Sequence, residues 1–135
     1  MKIVIETIPH KAHRYETVGG WFYDSDGVLH IKVSKLSDWR REMLVAVHEL
    51  IEVLTCKNDG VTQQIVDDFD MNFEANRHPN NEDEPGDDPT APYVNQHCLA
   101  TGIERILAQQ WGVNWKEYEE ELGNLPPVPD QTLTG

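Results

Sequence analysis

One short segment combines a strongly apolar helical pattern with three ionisable side chains. Residues 43–54, MLVAVHELIEVL, are apolar except for His48, Glu49 and Glu52. A helix of this composition is expected to be covered by the rest of the protein, and a carboxylate buried without a partner is costly. We therefore expect these three groups to meet a cation, a metal ion or a hydrogen-bond partner.

The spacing of these residues places two of them together. His48 and Glu52 are four residues apart and share one face of a helix, whereas Glu49 lies about 100° around the helix from His48. A later helical segment carries a matching stripe, in which His97 and Glu104 are seven residues apart with small side chains between them. The two stripes can therefore face each other across a helix pair.

Two imidazoles and one carboxylate, from His48, His97 and Glu52, are the ligand mixture of a catalytic zinc site with an open fourth position. A bound zinc ion lowers the pKa of its water toward about 7, and a free carboxylate such as Glu49 can accept the proton. The pattern predicts a Zn²⁺ site, with Glu49 as general base, that hydrolyses an amide or related bond in a peptide or small molecule. Another divalent cation is compatible with the same ligands.

The sequence around these residues resembles a known protein class. A predicted hairpin ending in VLHIKVSKL is followed by a helix that carries HELIE at residues 48–52, and then by a helix with a further candidate ligand. This order is similar to the core of the zincin-type metallopeptidases, whose helix carries HExxH. The resemblance covers about residues 15–56 and, more loosely, residues 97–104.

The resemblance implies roles for individual residues. It makes His48 the first zinc ligand and Glu49 the general base, while Glu52 stands where the family has its second histidine. In the branch of the family with a glutamate ligand, the third ligand is a carboxylate from a downstream helix. By that likeness Glu104 is an alternative to His97 as the third ligand.

The same residues also allow a structure without a metal ion. In that interpretation Glu52 is a carboxylate on the helix surface. His48 and His97 are then histidines at the edge of the core, hydrogen-bonded to the backbone or to Glu49 and Glu104. A metal-free arrangement of this kind predicts no hydrolytic activity.

A different cation site would use four carboxylates. Glu49 and Glu52 on one predicted helix, and Asp67 and Asp70 on the next, form acidic pairs three residues apart. Such pairs are similar to the magnesium sites of all-α nucleotide pyrophosphohydrolases. The predicted N-terminal sheet argues against that family.

Composition limits the classes of partner. The chain has 135 residues, which suits one domain, and 24 Asp and Glu against 11 Lys and Arg give a charge of −13. This charge repels phosphate backbones and anionic lipid headgroups. No apolar run approaches the ~20 residues that cross a bilayer, and no secretory segment is evident. We therefore expect a soluble, cytoplasmic protein that binds neither nucleic acid nor membranes.

The charge also supports a function without catalysis. An acidic protein can bind a basic protein partner, and some phage antagonists of host enzymes imitate nucleic acid in this way. Residues 87–93, DDPTAPY, together with His97 resemble small uncharacterised proteins of bacteriophages and prophages. A non-catalytic acidic interaction protein is therefore the main alternative to a hydrolase.

The order of the predicted elements indicates an α+β fold. We expect a small antiparallel sheet, then three main helices and a short fourth one, in a single domain of residues 1–124. Strands are predicted at residues 2–8, 15–23 and 28–33. Helices are predicted from Ser37 as N-cap to residues 58–60, at 62–74, from 92 or 93 to 110, and at 114–122. Residues 76–92 should form a mobile acidic loop, and residues 125–135 a proline-containing tail.

Burial is also predicted for individual side chains. On the third helix the apolar residues should be buried: Val94, Cys98, Leu99, Ile103, Ile106 and Leu107. Cys56 should likewise be a buried free thiol, whereas surface positions are expected for His10, His13 and His30. The acidic residues Asp67, Asp68 and Asp70 should form a solvated helix face.

Overall fold

The computed structural model describes residues 1–129 and has the α+β architecture predicted from the sequence. Three strands are followed by four helices, with two short 3-10 turns at His10–Ala12 and Pro85–Asp87. The strands are β1 (Ile3–Ile8), β2 (Gly19–Tyr23) and β3 (Leu29–Ser34). The helices are α1 (Trp39–Asp59), α2 (Gln63–Ala75), α3 (Val94–Gln110) and α4 (Trp115–Gly123).

The sheet is mixed, so the prediction of an antiparallel sheet was wrong for one strand. Its order is β1-β3-β2, in which β2 and β3 form the expected antiparallel hairpin but β1 runs parallel to β3. Strand alternation indicates which side chains are buried but not which edge of the sheet a strand joins. The connection between β1 and β2 is long enough to pass the end of β3. It therefore allows β1 and β2 to lie on opposite edges of the sheet, with β3 between them.

This connection also explains why two histidines predicted to lie on the surface are buried. His10 Nδ1 lies 2.8 Å from Ser34 Oγ, and His13 Nε2 lies 2.9 Å from the same oxygen. Ser34 is the last residue of β3 and is fully buried. The two imidazoles therefore hold the connection against the sheet, and burial lowers the pKa of His13 to about 4.

Helix α1 is the central element of the fold and packs against both α3 and the sheet. Its N-cap is Asp38, whose side chain accepts a hydrogen bond from the Arg40 amide, rather than the predicted Ser37. Ser37 instead donates to Glu121 from α4. The helix ends at Gly60, whose φ of 76° is the left-handed conformation that glycine adopts readily.

The prediction of buried apolar residues on α3 was wrong for Cys98, Leu99 and Ile106, whereas the predicted stripe of His97 and Glu104 does face the interior. Leu99 and Ile106 are 48% and 72% exposed, and Cys98 is also exposed. The face turned to the interior carries Gln96, His97, Ala100, Glu104 and Ala108. Ala100 and Ala108 allow close packing, and the ionisable groups are stabilised by partners on α1 and α4, so pairing outweighs the apolar pattern of the helix.

The remaining segments follow the prediction in part. In the acidic segment 76–92, the turn Pro85–Asp87 packs against α2 and α3. Of the predicted tail, residues 125–129 contain no helix or strand, and residues 130–135 lie outside the described part of the chain. Among the described residues, no helix has the length and hydrophobicity needed to cross a membrane.

Candidate metal centre

The site is built by two helices that face each other. His48 and Glu52 lie one turn apart on α1, and the buried face of α3 places His97 opposite them. All three side chains are buried. The sequence places the first two residues on one face, and the packing of α1 against α3 brings the third to them.

Three ligand-type atoms of these residues form a nearly equilateral triangle. His48 Nε2 lies 3.1 Å from Glu52 Oε2 and 3.2 Å from His97 Nδ1, and His97 Nδ1 lies 3.0 Å from Glu52 Oε2. Zinc bound tetrahedrally at ~2.0–2.1 Å from nitrogen or oxygen ligands separates those ligands by about 3.3 Å. The triangle therefore has the dimensions of one face of a tetrahedral zinc site.

The Nδ1 nitrogen of His48 is not one of the three triangle atoms, and it contacts the carboxylate of Glu104. His48 Nδ1 lies 2.8 Å from Glu104 Oε1, and the Tyr118 hydroxyl donates to Glu104 Oε2 at 2.6 Å. A nitrogen this close to an ionised carboxylate carries hydrogen, so the other nitrogen of a neutral His48 presents its lone pair to Glu52 and His97. Glu104 thus occupies the place of a carboxylate that orients a metal-binding histidine rather than that of the ligand itself.

The electrostatics of the cluster favour positive charge. Burial lowers the pKa of His48, but the hydrogen bonds to Glu104 and Glu52 outweigh it and raise that pKa to about 11. Burial likewise lowers the pKa of His97, and its contacts with Glu52 and Glu84 reverse the effect and raise it to about 10. For Glu52 burial raises the pKa, yet the two imidazoles lower it to about 2. The buried carboxylates therefore require positive charge next to them. Either both imidazoles are protonated, or a metal ion takes the place of those protons.

Glu49 lies beside the triangle and under strand β2. Its carboxyl is buried, and a Cβ placed on Gly19 would come within 2.7 Å of Val45 Cγ1 and 3.0 Å of Glu49 Oε1, so glycine allows the strand to pass this closely. Burial, together with the charge of Glu52, raises the pKa of Glu49 to about 8. A carboxyl with a pKa near neutrality can both accept and return a proton.

Two groups of ligand-type side chains are brought together in residues 1–129. One is His48, Glu52 and His97, and the other is Glu84, Asp87 and His97. The carboxylates of the magnesium alternative are placed differently. Asp67 pairs with Arg14, and Asp70 accepts hydrogen bonds from Tyr93 and Tyr15.

Comparison of the chain with known proteins was made at three levels. No family model, curated protein or solved structure matched it. The assignment of a function therefore depends on the geometry and chemistry of the site itself.

Several residues around the site were not expected from the sequence. Glu84 and Asp87 lie within a strongly acidic run, where solvent exposure is the ordinary expectation, and Tyr118 lies on a helix rich in glutamate. The Pro-Gly pair between Glu84 and Asp87 indicates a turn. The sequence does not indicate that this turn packs against α3.

Asp70 was expected to be solvated but is buried below the site. Burial raises its pKa to about 7, although hydrogen bonds from Tyr93 and Tyr15 oppose the rise. We expect Asp70→Asn to stabilise the protein at pH 8 and to leave its stability unchanged at pH 4. The unfolded chain ionises this group near pH 4 and the folded protein near pH 7, so stability falls as pH rises between these values.

The size of this effect can be measured by urea unfolding between pH 4 and pH 8. The difference between the unfolded and folded pKa values of Asp70 corresponds to a gain of up to about 4 kcal/mol in the free energy of unfolding of Asp70→Asn at pH 8. Asp68→Asn is the matched control, because Asp68 is an exposed carboxylate on the same helix. A constant difference between Asp70→Asn and wild type across this pH range would contradict the assignment.

Proposed function

We propose that this protein binds one zinc ion through His48 Nε2, His97 Nδ1 and Glu52 Oε2 and hydrolyses an amide or related bond. The observation that carries the proposal is the triangle of three ligand-type atoms with sides of 3.0–3.2 Å. Two imidazoles and one carboxylate are the ligand set of catalytic zinc sites that keep a fourth position open. The zincin-like character of the HELIE helix is part of the same proposal.

A metal-free hydrogen-bond cluster is the alternative account of the triangle, and it requires both imidazoles to be charged. In the neutral form His48 bears its hydrogen on Nδ1, toward Glu104, so Nε2 has no hydrogen to share with His97 or Glu52. If both imidazoles are charged instead, two N–H groups converge on one carboxylate oxygen while the two nitrogens are 3.2 Å apart. A divalent cation at this point satisfies all three atoms at once.

The residues of the chain then have separate tasks in hydrolysis. Zinc, when bound, polarises a carbonyl group and lowers the pKa of water, which supplies a nucleophile at neutral pH. Glu104, itself bound by Tyr118, holds His48 in the orientation required of a ligand. Glu49, the residue next to His48 on α1, would accept the proton of the attacking water and return it to the leaving group.

The test is metal analysis of protein purified without an affinity tag. We expect about one zinc per chain and stabilisation of the chelator-treated protein by added zinc, by about 2.7 kcal/mol at a free concentration of 100 times Kd. The zinc-loaded protein should cleave members of a mixed peptide library, and a chelator should stop the cleavage. Chelator-treated protein that gains neither zinc nor stability would exclude the proposal.

A further inference from the structure

The acidic turn at residues 84–87 contacts the imidazole of His97 from the side opposite to the triangle. His97 Nε2 lies 3.0 Å from Glu84 Oε2 and 3.2 Å from Asp87 Oδ1. Between them, Gly86 lies directly against the ring, where a Cβ would overlap the ring atoms of His97. A residue with any side chain at position 86 would move the turn away from His97.

The two sides of this contact differ in exposure. His97 is only 5% exposed, whereas the side chains of Glu84 and Asp87 are each 52% exposed. His97 Nε2 is buried and forms no hydrogen bond of normal geometry with any residue of the described chain. The nitrogen therefore faces the two carboxylates without another hydrogen-bond partner there.

The carboxylates of Glu84 and Asp87 lie where they favour hydrogen on the Nε2 nitrogen of His97. When Nδ1 binds a metal ion, the hydrogen of the neutral ring lies on Nε2, where the two carboxylates, 3.0 and 3.2 Å away, stabilise it. Nδ1 is the atom that faces Glu52 and His48. The turn thus favours the form of His97 that can bind a metal ion in the triangle.

We infer that Glu84 and Asp87 are positioning residues of the metal centre, which hold His97 with its Nδ1 lone pair directed at the triangle. This inference depends on the proposed function. It gives His97 the kind of support that Glu104 gives His48, but from the acidic segment rather than from a helix. The Glu84–Asp87 turn is therefore part of the site and not only a source of surface charge.

The test measures Co²⁺ binding, because Co²⁺ reports both the affinity and the geometry of the site through its visible absorption. Glu84→Gln combined with Asp87→Asn should weaken Co²⁺ binding about 10–100-fold, the usual effect of removing a partner that orients a ligand. The same change should reduce the absorption characteristic of tetrahedral Co²⁺. Gly86→Ala keeps both charges, and it should weaken binding about tenfold by displacing the turn.

The matched control removes two equal charges from the same segment. Glu82→Gln combined with Asp83→Asn should bind Co²⁺ within about threefold of wild type at about 0.5 M salt, where charges outside direct contact are screened. Far-UV circular dichroism in chelator should show that the Glu84/Asp87 double variant remains folded, because both side chains lie half exposed.

Three results would overturn the inference in distinguishable ways. Equal affinities of the Glu84/Asp87 variant and the control would show that the contact with His97 does not orient it. Two Co²⁺ ions per wild-type chain, with one lost in the Glu84/Asp87 variant, would make the turn a cation site in its own right. A wild-type protein that binds no Co²⁺ and no zinc would overturn the proposed function together with this inference.

Discussion

Replacement of His48 by alanine is expected to weaken zinc binding about 100-fold. His48 supplies one of the three atoms of the triangle, and no other described side chain on α1 reaches its place. Zinc binding to complete four-ligand sites is worth ~10–16 kcal/mol, so loss of one ligand corresponds to roughly 3 kcal/mol, or about two orders of magnitude in Kd. Elemental analysis and competition with a chromogenic chelator measure this change.

The design must separate loss of a ligand from loss of the fold. His48→Ala leaves Glu52 and Glu104 buried without their imidazole, which destabilises the protein. His48→Gln is therefore the more informative variant, since an amide can still donate to Glu104 but is a poor zinc ligand. His78→Ala is the control, because His78 is exposed in the acidic segment. Zinc retained at wild-type affinity by folded His48→Gln would remove His48 from the ligand set.

Replacement of Glu49 by glutamine is expected to lower the hydrolytic rate about 10²–10⁴-fold, the range for a lost general base. Zinc should still bind with one ion per chain, because Glu49 is not a member of the triangle. Glutamine has nearly the same size, so the close approach of β2 at Gly19 is preserved. Turnover of a peptide found in the library screen is measured beside zinc content.

The control for this variant is another buried carboxyl of the same helix. Glu42 accepts a hydrogen bond from the Leu36 amide and lies near the start of α1, so Glu42→Gln should retain both zinc and turnover. Wild-type turnover by zinc-loaded Glu49→Gln would assign the proton transfer to another group. Loss of zinc in Glu49→Gln would instead place Glu49 among the ligands.

The sequence was sufficient for the features that depend on local spacing. The helical period places His48 and Glu52 on one face, and the cost of burying carboxylates indicates that partners must be present. The turn residues before β3 predict the β2–β3 hairpin, and the order of elements predicts an α+β chain. These features depend on residues close together along the chain, which local periodicity and turn chemistry describe.

Burial on α3 depended on contacts that the sequence does not specify. Apolar periodicity predicted that Leu99 and Ile106 would be inside, but both are exposed, whereas the stripe of His97 and Glu104, which the spacing predicted could face α1, is buried. Ionisable groups can be buried when their partners meet them, and those partners come from α1 and α4. A periodic pattern within one helix contains no information on the partners that another helix will supply.

The outer parts of the site were determined by tertiary structure alone. Glu52 and Glu104 both contact His48, but Glu52 faces Nε2 and also contacts His97, whereas Glu104 faces Nδ1 and accepts a hydrogen bond from Tyr118. The contact of Glu84 and Asp87 with His97 depends on the packing of a turn that ends seven residues before α3 begins. Residue types and spacing therefore determined the candidate ligands of this protein. The packing of the helices and the acidic turn decided which atom each candidate side chain contacts, because hydrogen-bond geometry exists only between segments already in contact.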